Sequence, residues 1–409
     1  MVCGIIAEYN PMHNGHLYHL KESLKISGAK NCICVISGNF VQRGEPAICS
    51  KYARVRAALA LGIDIVIELP VFYATSSAQG FARAAVKILA DCGIVDSICF
   101  GSELGDVSIL SDIAQILTDE PREFKEKLHE GLGFGLSFAK SRAIALSEIN
   151  PKFAEVINKP NNILAVEYLA AIAEFNLNLK VFAVKRKLVD YHSNEFAEGF
   201  ASASGIRKRI FDNGLEGLRD VMPEESFGLL ETEYKRGAIN HINNFSHILH
   251  YILKTTPKKA RSEIADITEG LENRIERAAS EHFQISNILE NIASKRYAKT
   301  TLARGILHTI LGITKQEMKY YENSGYPQYI RVLGFRRESI DLVKKMTHEA
   351  KIPVITNLQT VDKAERADWL SDSAKAMLAR DIWLSEFYWL GLRAKGVLVE
   401  GELSSPVIL

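Results

Sequence analysis

Six apolar residues, Val2 to Ala7, run up to Asn10-Pro11, and the chain then reads His13-Asn14-Gly15-His16. From His16 to about Ile26, Leu17, Leu20 and Leu24 recur at helical spacing. A buried strand that breaks at a proline and enters a helix within a few residues fixes a strand–turn–helix unit at the start of the fold. The unit then recurs. Asn31 to Ser37 is a second apolar run, and Ser50 to Leu61 reads as a helix with Lys51, Arg54 and Arg56 on a basic face. Asp64 to Leu69, closed by Pro70, is a third strand, and Ser77 to Ala90 the next helix. Ser97 to Phe100 is a fourth strand, running into Gly101-Ser102-Glu103. Strands alternating with helices at this spacing predict an α/β fold with a Rossmann-like parallel sheet and crossover helices.

In such sheets ligands bind beyond the carboxyl ends of the strands, where both His13–His16 and Gly101–Glu103 fall. A helix N-terminus carries unpaired N–H groups and a favourable dipole for an anion. Gly15 removes a Cβ from the approach of a phosphate, and histidine adds N–H donors. The plainer reading is a polar loop whose histidines cap a helix.

Further along, Gly38 to Ala47 is a loop carrying Gln42, Arg43 and Gly44. Asp106 to about Asn150 is mostly helical, interrupted at Gly131 to Gly135. Asn161 or Asn162 is expected to cap a helix reaching Phe175, and Leu179 to Val184 is a fifth strand followed by Lys185-Arg186-Lys187. His192 to Phe200 reads as a polar loop, and Ser202-Ala203-Ser204-Gly205-Ile206-Arg207 opens a helix running through Phe211. Hydroxyls and an arginine at that N-terminus suit a polyphosphate, although they also suit an ordinary N-cap. Pro223 with Glu224-Glu225 marks a boundary, dividing the chain into 1–220 and a mainly helical 221–409. In that second part, Leu333 to Lys345 is expected as a helix, Ile352 to Thr356 as a short strand, and 364–379 and 382–392 as two helices.

Between Ser286 and Ile340 nine Lys or Arg face four Glu, a local balance of +5 in a chain whose formal net charge is +1. Tyr297, Tyr326, Tyr329 and Phe335 are interleaved. Basic groups with aromatics suit phosphates and unpaired bases, while a solvated helix face explains the composition equally well. The small net charge excludes a globally basic surface. No apolar run approaches the roughly 20 residues of a membrane span, and no signal peptide precedes the first strand. The six cysteines, all in the first quarter, lack the spacing of a zinc site or disulfide framework, so buried free thiols in a cytoplasmic protein are expected.

Glu8 to His16 together with Ser202 to Arg207 resembles the H-x-G-H nucleotidyltransferase superfamily. Glu8-Tyr9-Asn10-Pro11, Gly38 to Gly44, Glu68-Leu69-Pro70, Lys159 to Leu164 and Tyr329 to Phe335 narrow this to a resemblance to the bacterial tRNA(Met) cytidine acetate ligase family. The resemblance implies activation of acetate with ATP as acetyl-adenylate, then acetyl transfer to N4 of the wobble cytidine of elongator tRNA(Met). It implies that ATP is held by Ala7, Glu8, Tyr9, Asn10, Pro11, Met12, His13, Asn14, Gly15, His16, Leu17, Tyr18, His19 and Leu20. Gly101, Asn162 (with Asn161 as its rival) and Arg186 would complete that site. Ala203 departs from the superfamily's usual serine, while Ser202, Ser204 and Arg207 keep the motif's polar groups.

Attack of a carboxylate on the α-phosphorus brings two anions together, so charge neutralisation and alignment dominate the chemistry. His13 and His16 are the expected catalytic donors, and Arg207 and Ser204 suit the β- and γ-phosphates. Magnesium is expected on the polyphosphate. Arg296, Lys299 and Arg304 are the expected tRNA contacts. Two alternatives share these features. One is an adenylyl- or cytidylyltransferase acting on a small-molecule precursor. The other is an RNA-binding protein regulated by ATP.

Overall fold

A computed structural model describes residues 1–186, 199–268, 270–294, 297–359, 369–393, 396–397, 401–402 and 405–409. The first-half strands are β1 (Val2–Ala7), β2 (Asn31–Ser37), β3 (Phe40–Val41), β4 (Glu45–Pro46), β5 (Ile65–Leu69), β6 (Ser97–Ser102) and β7 (Lys180–Lys185). Five of them form a parallel array in the order β5-β2-β1-β6-β7. The chain builds outward from β1 through β2 to β5, then returns to place β6 on the other side of β1. That reversal creates a crevice between the carboxyl ends of β1 and β6, the usual ligand position in an open α/β sheet. The β3–β4 hairpin lies within the segment expected as a plain loop, antiparallel with Val41 opposite Glu45.

The sheet does not stop at residue 220. β8 (Ile330–Phe335) lies antiparallel beside β5, and β9 (Val354–Ile355) and β10 (Val407–Ile408) flank β8. Leu333 therefore belongs to a strand and not to the expected helix. All six residues of β8 are buried, so apolar spacing could not distinguish a two-sided strand from a helix face. A Cβ at Gly334 would come within 2.7 Å of Val55, so glycine allows close packing there.

The helices that bear on the crevice are α1 (Asn14–Ser27), α2 (Lys51–Ala60), α3 (Val71–Ala74), α4 (Ala78–Asp91), α5 (Val107–Asp119), α6 (Arg122–Gly133), α7 (Phe138–Ile149), α8 (Pro151–Ile157), α9 (Pro160–Glu174) and α10 (Ala203–Asn213). Near the C-terminus, one continuous helix, Asp372–Arg393, replaces the two expected; the preceding 360–368 lie outside the described residues. All six cysteines are free and buried.

The expected basic face of α2 is not on the surface. Lys51 and Arg54 are 0% and 2% exposed. Arg54 donates to the carbonyls of Glu8 (2.7 Å), Ser37 (3.0 Å) and Gly38, capping strand ends that would otherwise leave acceptors unpaired. Lys51 pairs with Glu68 at 2.7 Å and with Glu402, and Arg331 of β8 pairs with the same two carboxylates. Buried charges persist only when paired, and this cluster ties α2, β5 and β8 to the C-terminal segment.

Candidate active site

The crevice holds a cavity of about 240 Å³ lined from β1, α1, the β3–β4 region, α4, β6, α9, β7 and α10. Of the fourteen consecutive residues expected at the nucleotide, Ala7, Glu8, Tyr9, Asn10, His13, Gly15, His16, Tyr18 and His19 line it. Pro11, Met12, Asn14, Leu17 and Leu20 do not. Met12 and Leu20 are 1% and 2% exposed in the core, and the Asn14 amide donates to the carbonyls of Gly199 and Asp220. Helix α1 turns one face to the cavity, which leaves Asn14, Leu17 and Leu20 off its lining.

The turn after β1 is tightly specified. Tyr9 adopts φ 49°, and the Asn10–Pro11 peptide is cis. His13 is the N-cap of α1: its Nδ1 accepts the Gly15 N–H at 3.1 Å, while His16 Nδ1 accepts the His13 N–H at 3.2 Å. The two rings stack with centroids 3.8 Å apart. A Cβ on Gly15 would lie 2.9 Å from the His13 ring, so glycine is needed for the cap as well as for access. The histidines cap the helix, as the plainer reading has it, and they also line the cavity.

Burial, reinforced by the charges of Arg186 and Arg207, pushes His13 down to about 3. His16 is held well below its ordinary value by burial, His13, Arg186 and His19, and His19 is pushed down to about 4 by burial and Arg186. All three are therefore neutral near pH 7. Because the Nδ1 atoms of His13 and His16 accept backbone N–H groups, their protons sit on Nε2. Each ring is thus a neutral N–H donor, ready to bond a phosphate oxygen.

Three arginines line the same cavity: Arg43, Arg186 and Arg207. Arg186 Nη1 donates to Asn161 Oδ1 at 2.6 Å, and its backbone N–H donates to the Ser102 carbonyl at 2.9 Å. Arg207 donates to the Asn10 carbonyl at 2.7 Å and pairs with Glu45, which holds α10 against the first turn. Ser202 caps α10 by accepting the Gly205 N–H, and Ser202, Ala203 and Ser204 all line the cavity. Two helix N-termini, those of α1 and α10, therefore open on one space. Ile6, Phe81, Leu164, Tyr168 and Val184 supply an apolar lining suited to a nucleobase. Phe81, Leu164 and Tyr168 were not foreseen as site residues; in sequence they are ordinary core positions of helices.

Asn161 and Asn162 divide differently from the expectation. Neither caps α9, whose N-cap is Lys159 with Pro160 in its first turn. Asn162 is 2% exposed, and its Oδ1 accepts from Ser102 Oγ (2.7 Å) and the N–H groups of Glu103 (2.9 Å) and Leu104 (3.2 Å). It shapes the end of β6 without lining the cavity. Asn161 lines it beside Arg186 and Gly101.

In the basic segment, Arg304 is 6% exposed and bonds Asp266 through Nε (2.9 Å) and Nη2 (3.2 Å). It is a buried ion pair and not a surface cation, and Tyr329 and Phe335 are core residues. Lys299 is exposed at the start of helix Lys299–Leu311; Arg296 lies outside the described residues. Among the described residues no group of three or more His, Cys, Asp or Glu could hold a metal ion. None of the described helices is long and apolar enough to cross a membrane.

Residues 1–397 match the HIGH Nucleotidyl Transferase family. A tRNA(Met) cytidine acetate ligase of Thermoanaerobacter sp. is 40% identical over 97% of this chain and 96% of its own length. One from Acetivibrio thermocellus is 41% identical over 89% of each. The crystal structure of Thermotoga maritima TmcAL bound with alpha-thio ATP superposes with a TM-score of 0.91 at 31% identity, covering both chains completely. The apo form of the same protein gives 0.93 at 33% identity, covering all of this chain and 99% of that one.

Proposed function

The chain belongs to the HIGH Nucleotidyl Transferase family and, within it, to the tRNA(Met) cytidine acetate ligases; from that premise we propose that it activates acetate with ATP and acetylates N4 of the wobble cytidine of elongator tRNA(Met). The observation that carries the first step is the pair of neutral Nε2–H donors, His13 and His16, in one cavity with Arg186 and Arg207. Acetate attacks the α-phosphorus, and pyrophosphate leaves. Donors already oriented by the helix cap stabilise charge on the reacting phosphate, and the arginines attract the polyphosphate.

His13, His16, Arg186, Arg207, Ser204, Gly101 and Asn161 are the residues assigned to ATP in this reading. Magnesium enters bound to the nucleotide's phosphates, which favour it as hard oxygen ligands. Residues 1–220 carry activation, and 221–409, with Lys299, meet the tRNA. The cytoplasm is the place of action, since tRNA is the acceptor. Acetate-dependent exchange of labelled pyrophosphate into ATP, without tRNA, tests the first step. Exchange that needs acetate is expected; exchange indifferent to acetate would favour a transferase acting on another small molecule.

A further inference from the structure

The cavity contains one feature that a polyphosphate site does not call for. Glu8 is the only acidic side chain among its described lining residues, which also include three arginines and three histidines. A carboxylate there repels ATP, so its presence needs a use. We infer that Glu8 is the base that accepts the proton of the attacking N4 amine when acetyl passes from acetyl-adenylate to cytidine. This rests on the proposed ligase reading and concerns its second step.

The transfer needs such a group. The N4 amine attacks the acetyl carbonyl carbon, a C–N bond forms, and the bond from that carbon to the adenylate oxygen breaks. AMP leaves with the electron pair, and one N4 proton must be taken up. The other lining groups are poorly suited to receive it. His13 and His16 have Nδ1 bonded to backbone N–H groups and a proton on Nε2, so neither offers a free lone pair. His19 is held between the Phe100 carbonyl and Ser23 Oγ at 3.5 Å. Burial raises the hydroxyls of Tyr9 and Tyr168 above their usual range, so both stay protonated near neutral pH and present no phenolate to accept the proton.

Glu8 stands at the end of β1 with Oε1 accepting the Gln42 N–H at 2.9 Å, which fixes the carboxylate's orientation. A carboxylate also matches the exocyclic amine of cytosine, which presents N–H donors. The groups facing it are Arg43 and Glu45 of the hairpin region, Arg207 of α10, Arg54 of α2 and Tyr168 of α9. Burial raises its pKa, and the Arg43 and Arg207 charges oppose that rise. A carboxylate poised above its usual range is a better proton acceptor near neutral pH.

The test is Glu8→Gln, which keeps an oxygen for the Gln42 amide and removes the base. In single-turnover transfer from acetyl-adenylate formed on the enzyme to tRNA, the rate is expected to fall a hundredfold or more, within the usual range of roughly 10²–10⁴ for general-base catalysis. The parent's loss of transfer rate towards low pH is expected to vanish in the variant. Acetate-dependent exchange should fall by far less, and Glu8→Asp should recover part of the transfer. Transfer at the parental rate would overturn the inference. So would exchange and transfer falling by one common factor, because Glu8 would then serve ATP binding. Absence of acetate-dependent exchange in the parent would instead remove the ligase reading itself.

Discussion

His16→Asn separates the two tasks of the first turn. His16 uses Nδ1 to accept the His13 N–H at 3.2 Å and is left with Nε2–H for the phosphate. Asparagine places Oδ1 where Nδ1 lies but has no atom at the Nε2 position. The cap should survive, with stability within about 1 kcal/mol of the parent, because the buried N–H keeps an acceptor. The lost donor should lower exchange on the order of 10²–10³-fold, the usual effect of removing one preorganised donor, about 2.7–4 kcal/mol of barrier. His16→Ala should lose the same rate and, in addition, roughly 1–3 kcal/mol of stability from the unpaired amide. The assays are acetate-dependent pyrophosphate exchange and urea unfolding on the same preparations. Parental exchange by His16→Asn would refute the reasoning, as would His16→Ala losing stability while keeping its rate.

Other outcomes follow from the same geometry. His13 and His19, held neutral down to about 3 and 4, refuse protons that the unfolded chain accepts below about 6.5. Stability should therefore fall as pH drops from 6.5 towards 4, by up to about 1.4 kcal/mol per pH unit for each histidine, and urea midpoints at pH 7, 6 and 5 that do not move would contradict this. Glu402→Ala leaves buried Lys51 and Arg331 with Glu68 alone and should cost about 3–5 kcal/mol in urea unfolding; a change under 1 kcal/mol would show that the cluster does not hold the C-terminal segment. Asn161→Ala should raise the KM for ATP by releasing Arg186, whereas Asn162→Ala should mainly lower stability, and the reverse result would exchange their roles.

The parallel strands were legible because each is a short apolar run closed by Pro, Gly or a polar turn, and β1 runs over the expected Val2–Ala7. β8 was not, because a strand buried on both faces lacks the alternation that marks a half-exposed one. The polar side of the cavity was readable because the His13–His16 turn and Ser202 to Arg207 each open a helix, and both starts line the same space. Its apolar lining was not, since Phe81 and Tyr168 look like any core residue until the helices are packed. The charges misled most. Lys51, Arg54, Arg304 and Arg331 count as surface cations by composition, yet each is buried against carboxylates or carbonyls contributed by residues far away in sequence. Sequence spacing carries no record of those partners.

The most direct test of the central claim is mass spectrometry of nucleosides from elongator tRNA(Met) incubated with the protein, ATP and isotopically labelled acetate. The account predicts one labelled acetyl group on the wobble cytidine, dependent on ATP and formed on the order of 10²–10³-fold more slowly with His16→Asn. Unmodified cytidine in tRNA from the complete reaction, or label appearing without ATP, would contradict it.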